Sequence, residues 1–193
     1  MEDKRITKSK NALKSTLIEL LNHMPFEKVS VTDICNRAGI SRITFYNHYN
    51  DKYNLVDDIF EHYAALGKKA YAEKQKKNNP KEVPSISYCN ILDSTLDLYY
   101  SNMDFFKHTT PDANPYLAFK FYETILNIIE NHTIHESFAD NLRYSPRQIA
   151  GFICYGLAGF INEGHRQHLP IATIRKNASQ LMRSILKSDI LVN

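Results

Sequence analysis

The side chains with the most chemistry to offer lie in one stretch, Val31 to Lys52, which reads VTDICNRAGISRITFYNHYNDK. Arg42 carries a planar fork of donors that fits the two acceptors on a guanine edge. Ile43 and Thr44 offer methyl groups to thymine, and Asn47 offers an amide to adenine. Tyr46 has a hydroxyl on a rigid arm, and Lys52 has an amine at the start of a helix. These types suit two tasks on a duplex: reading base edges and gripping phosphates.

Such groups work only when short, well-stopped helices hold them. Ser30 is placed to cap one helix, with Asp33 three residues on as a capping box requires. Ile34 and Ala38 give that helix an apolar stripe. Gly39 follows, where a helix end calls for a left-handed residue. Ser41 caps a second helix, which docks through Phe45 and Tyr49 with Ile40 just ahead. Arg42, Ile43, Thr44, Tyr46, Asn47 and His48 then point elsewhere. Asp51 caps a third helix from Lys52. Two short helices joined through a glycine turn form a helix-turn-helix, whose second member enters the DNA major groove.

On Val31, Thr32, Asp33, Ile34, Ala38, Gly39, Ile40, Ser41, Thr44, Phe45, Tyr46, His48, Tyr49, Lys52 and Leu55, the chain resembles the TetR family of transcriptional regulators. The run Thr44 to Lys52 is the most specific part. The resemblance covers roughly residues 7–60 and is only general beyond them. Cys35 departs from it, since the family usually has alanine there. The resemblance implies an all-α fold: an N-terminal three-helix head with the helix-turn-helix, then a larger helical domain for effector binding and dimerisation. The expected division is 1–51 for DNA binding, 52–85 for a connecting helix and hinge, and 86–193 for the rest. It also implies that Thr44, Tyr46, His48 and Lys52 mostly grip phosphates, with Thr32 on the same DNA-binding face.

Charge is distributed to match. Residues 1–52 carry nine Lys/Arg against six Asp/Glu, residues 53–81 six against four, and residues 82–193 nine against eleven. The first 81 residues are therefore basic, as a surface that neutralises phosphates must be. Lys8 and Lys10, early in the first helix, are expected as further phosphate anchors. The lysines from Lys68 to Lys81 read better as a solvated helix end, where cations are favoured.

The remaining pattern is helical. Asn78, Asn79, Pro80 and Pro84 break it once, which places a hinge at 77–85. Pro146 sits at the first-turn position of a helix running to about His165. There, Ile149, Phe152, Ile153, Gly156, Leu157 and Phe160 form a stripe. Ile174, Ala178, Leu181 and Ile185 form another on the last helix. In the family these helices pair with a partner's, so these ten residues are expected at a homodimer interface. A dimer presents two recognition helices and calls for a pseudo-palindromic operator. Tyr88, Tyr99, Phe105, Phe119, Tyr122 and Tyr155 are candidates to line a pocket for a small apolar or aromatic effector.

Other functions find less support. Cys35, Cys89 and Cys154 have no zinc or redox spacing, which fits a reducing cytoplasm. His132 with His135, and His165 with His168, are i, i+3 pairs that read as solvated helix-end residues. No nucleophile elbow, phosphate loop or Rossmann fingerprint is present. No metal, cofactor or catalysis is expected, and no membrane partner, since Gln148 to Asn162 is too short to span a bilayer. The expected function is an effector-responsive repressor. The alternatives are an activator or co-regulator of the same fold, or a ligand- or protein-binding module with a vestigial DNA head.

Overall fold

The helix starts at Val31, Arg42, Lys52 and Pro146 are set by local polar side chains. Ser30 Oγ accepts the Asp33 amide at 3.1 Å while Asp33 Oδ2 accepts the Ser30 amide at 2.9 Å. Ser145 and Gln148 repeat that reciprocal box, with Pro146 in the first turn behind it. Asp51 Oδ1 accepts the amides of Tyr53 and Asn54, both at 2.8 Å. Each such cap satisfies donors that a helix start otherwise leaves without partners, worth about 1 kcal/mol apiece.

A computed structural model of the chain describes residues 4–135 and 142–188. It is all-α, with α1 (Lys4–Leu21), α2 (Val31–Ala38), α3 (Arg42–Tyr46), α4 (Lys52–Asn78), α5 (Pro84–Ser101), α6 (Met103–Phe106), α7 (Pro115–Ile134), α8 (Pro146–Arg166) and α9 (Ile171–Lys187). A 3-10 turn, Phe26–Lys28, lies between α1 and α2. The chain divides into two units: a head, running to Ala65 and taking in Asn102–Phe121, and a body made of the rest.

In the head, α1 buries Leu13, Leu17, Leu20 and Leu21, a stripe at helical spacing. Ile34, Phe45, Tyr49, Leu55, Val56 and Ile59 are buried with them. Phe26 is wholly buried, edge-on to Tyr53 and stacked on Tyr116, both at 5.3 Å between ring centroids. Its amide donates to Asn114 Oδ1 at 2.7 Å, so residues from the start of α7 complete the head around it. Asn114 precedes Pro115 and stands where a helix cap is expected, yet its side chain is spent on Phe26 and on the His108 carbonyl.

The body has its own core, drawn from α5, α7, α8 and α9: Tyr88, Leu92, Leu126, Ile153, Ala178 and Met182 are among its members. Its tightest glycine contact is at Gly164, where a Cβ would stand 2.9 Å from Ile174 Cγ1. A Cβ at Gly156 or Gly159 meets nothing within 4 Å, and one at Gly151 makes only ordinary contact with the Tyr122 hydroxyl. Between the end of α4 and α5, Gln75, Asn78, Asn79, Ser87 and Asn90 form a network of amide and hydroxyl bonds. Asn79, Ser87 and Asn90 are buried there with their hydrogen-bonding groups engaged.

Candidate nucleic-acid interface

The turn between α2 and α3 is built as its residue types require. Gly39 adopts φ 65° and ψ 31°, the left-handed conformation that a side chain disfavours. Its neighbour Ile40 donates to the Cys35 carbonyl at 3.0 Å, which closes the end of α2. Ser41 then accepts the Thr44 amide at 3.1 Å and starts α3. The fold is pinned from α1 by a bidentate ion pair between Arg37 and Glu19. That pair holds the Glu19 carboxyl below its usual value, chiefly through the bond from Arg37.

On α3 the side chains separate cleanly. Phe45 is fully buried, whereas Ile43 is 76% exposed and Tyr46 47% exposed. Arg42 and Asn47 are also exposed, and the Arg42 guanidinium lies over the Tyr46 ring at 5.8 Å. Thr44 is half-buried, its hydroxyl 2.9 Å from that of Ser41. His48 is half-buried with its ring edge-on to Tyr49 at 6.3 Å. Thr32 stands exposed in the first turn of α2, and Lys8 is exposed on α1. The helix ends at Tyr46, so Asn47 is its cap and His48 lies in the turn beyond, where the sequence pattern continues the helix through both.

Two lysines are committed to the protein itself. Lys52 Nζ donates to the carbonyls of Phe26 at 2.8 Å, Glu27 at 3.0 Å and Val29 at 2.8 Å, and it sits 4.6 Å from the centre of the Phe26 ring. An ammonium has three donors, and all three are used. Burial pushes the Lys52 amine below its ordinary value, opposed by the charge of Glu27. In this arrangement Lys52, expected at a phosphate, acts as a clip that closes the 3-10 turn. Lys10 lies 3.3 Å from Asp58 Oδ2, so it is partnered as well, though its side chain is still 30% exposed.

Sequence reasoning missed Asp58. Its carboxylate receives Lys14 at 2.8 Å and the Tyr49 hydroxyl at 2.5 Å as well as Lys10. Burial works to raise this carboxyl, but the bonds from Lys14 and Tyr49 and the two lysine charges win and hold it below the usual value. Its partners lie 9, 44 and 48 residues away, a grouping no local pattern announces.

The other candidate residues fare unevenly. Of the expected interface stripe, Ile149, Ile153, Leu157, Ile174 and Ala178 are buried within the chain itself. Phe152, Gly156 and Phe160 face outward on α8, while Leu181 and Ile185 are half-buried against the core. A side chain shut inside its own chain cannot meet a partner, so the outward set is the smaller one. Of the six pocket candidates, Phe105 and Phe119 belong to the head and Tyr88, Tyr99, Tyr122 and Tyr155 to the body. Phe105 packs in the head on Phe60, Tyr63 and Phe106, and Phe119 is an exposed residue of that unit. Tyr88 is core, its hydroxyl 2.6 Å from that of Thr133. Tyr99 lies edge-on to Tyr100, and Tyr122 and Tyr155 pair at 3.9 Å with Tyr155 largely exposed. Among the described residues, no three or more His, Cys, Asp or Glu are grouped so as to hold a metal ion, and no helix is long and apolar enough to cross a membrane.

Comparison with known proteins agrees with this geometry. Residues 15–59 match the family model described as bacterial regulatory proteins, tetR family. Curated proteins give no match by sequence. Among solved structures, a TetR-family transcriptional regulator of Syntrophomonas wolfei superposes with a TM-score of 0.74 at 12% identity, covering 97% of this chain and 99% of its own. NalD, the secondary repressor of the MexAB-OprM multidrug efflux pump in Pseudomonas aeruginosa, gives 0.67 at 14% identity over 99% of each chain. FadR of Bacillus halodurans, a fatty acid degradation regulator, gives 0.65 at 13% identity over 94% of this chain and 96% of its own. At such identities the likeness is one of fold.

Proposed function

From the premise that this is a TetR-family DNA-binding transcriptional regulator, we propose that it represses transcription as a homodimer on a pseudo-palindromic operator and is released by a small apolar or aromatic effector. The observation that carries the reading is the face of α3: Arg42, Ile43, Tyr46 and Asn47 stand outward on a helix whose Phe45 is buried. An arginine fork, a methyl-bearing side chain and an amide in that order are a set for base edges. Lys8, Thr32, Thr44 and His48 are assigned to the phosphates on either side, and Lys10 joins them if it leaves Asp58. Dimerisation is supported by Phe152, Gly156 and Phe160, which repeat every four residues on the outer face of α8 beside exposed Tyr155 and Gly159.

We assign DNA binding to 1–51, the connection to 52–85, and self-association and effector binding to 86–193. Residues 102–121, which pack in the head, lie inside that third part. The repressor sign is supported by likeness to NalD, itself a repressor. A cytoplasmic location follows from a chromosomal operator.

Selection of duplexes from a random pool tests the reading directly. The enriched sequences should contain two half-sites related by a dyad and spaced by about one helical turn. Sedimentation should give twice the 22.3 kDa of one chain. Enrichment of nothing above background, with effector binding intact, would favour the helical module over the regulator.

A further inference from the structure

Three elements of the head meet at one carboxylate. Asp58 on α4 accepts the Tyr49 hydroxyl, from the turn that ends the recognition helix, and it accepts Lys14 and pairs with Lys10, both from α1. The Tyr49 ring is buried against Phe45 at 5.6 Å, and the Lys10 amine lies 5.7 Å from its centre. Asp58 is 22% exposed, Lys14 17% and Lys10 30%, so the cluster stands at the surface of the unit without being fully solvated. Two positive charges share one negative charge, and the less buried lysine makes the longer contact.

We infer that Asp58 is a positioning residue that sets the operator specificity of this head. It acts in two ways. Its bond to Tyr49 fixes the angle at which α3 leaves the core. Its charge also keeps Lys10 and Lys14 from gripping phosphates on any duplex regardless of sequence. Phosphate contacts are blind to sequence and supply most of the non-specific affinity. A carboxylate that restrains these amines lowers affinity for random DNA more than for the operator only where base contacts hold the head in a register that frees one of them. On correct docking, Lys10 exchanges Asp58 for a phosphate, while Lys14, shorter in contact and more buried, stays.

The inference rests on the DNA-reading function proposed above. The test therefore begins with the wild-type chain and the duplex it enriches from a random pool, measured beside a random duplex of equal length over a range of salt. If the wild-type chain enriches nothing, the DNA-reading function fails, which is a different result from failure of the inference. In Asp58→Asn the side chain keeps its size and loses its charge. Affinity for random duplex should rise with a salt slope steeper by about one phosphate, and the operator-to-random ratio should fall roughly tenfold, the effect of about one spoiled base pair. Tyr49→Phe removes only the hydroxyl bond and keeps both lysine pairs. Its ratio should fall less, at an unchanged salt slope. If Asp58→Asn does not fold, Tyr49→Phe alone decides the outcome. A wild-type ratio in the variants overturns the inference. So does an Asp58→Asn chain that weakens on both duplexes alike with its salt slope unchanged, since that is what mere loss of structure would do.

Discussion

The head and the body use polar side chains to different ends. In the head they stop helices and clip loops together: Ser30, Ser41 and Asp51 cap, Lys52 gathers three carbonyls, and Asp58 gathers three donors. The outward face of α3 is then left with side chains that make few bonds within the chain. In the body, polar groups near α5 bond to one another in the Asn79–Ser87–Asn90 network and in the Lys74–Asp97–Arg175 bridge, and the outward face of α8 is apolar. A surface meant for DNA keeps its donors free. A surface suited to another protein chain keeps its donors occupied and shows carbon.

That contrast can be broken from either side. The largest effect is expected from Phe45→Ala, which empties the core under α3. It should cost about 3–5 kcal/mol and abolish duplex binding, seen as an early loss of helicity in denaturant with DNA affinity lost in parallel. In the body, Gly164→Ala puts a methyl group 2.9 Å from Ile174 Cγ1. Overpacking there should cost about 1–3 kcal/mol, partly offset by the better helix propensity of alanine. Denaturant titration should show the loss, and a variant more stable than wild type would mean that Ile174 moves freely.

Arg42→Ala tests the opposite behaviour. It should leave the denaturation midpoint unchanged and cost about 1–3 kcal/mol of operator affinity, with preference relaxed at one base pair. A drop in stability instead would show that α3 is held by its outer face. The smallest effect concerns His132, half-buried in the body with its ring edge-on to Tyr88 at 4.9 Å. Burial first, and the charge of His135 second, hold its imidazole below the ordinary value of 6.5. The folded state therefore resists the proton that the unfolded state accepts. Stability should be complete above pH 6.5 and decline as the pH falls from there through the lowered folded value. His132→Phe should flatten that decline in a series of denaturant titrations.

The features legible in the sequence are those decided within four residues. The caps at Ser30, Ser41 and Asp51, the left-handed Gly39, and Pro146 in the first turn of α8 all depend on neighbours in the chain. The position of a side chain on a helix face is readable for Phe45 and Tyr49 because a single core lies on one side of them. It is ambiguous along α8, whose apolar residues run nearly all round: Ile149, Ile153 and Leu157 turn inward, and Phe152 and Phe160 outward. Lys52 shows the remaining limit. Its type and place suit a phosphate, and only the fold brings carbonyls from residues 26, 27 and 29 around its amine. The place of residues 102–121 in the head is equally hidden, since Asn114 and Phe26 are 88 positions apart.

That last separation bears on how the protein is made. During synthesis the helix-turn-helix emerges early, but Phe26 waits for Tyr116 to cover one ring face and for Asn114 to accept its amide. The DNA-reading end is thus finished only after well over half of the chain has left the ribosome. A fragment trimmed just past α4 would carry every base-facing residue and still lack the piece that covers Phe26.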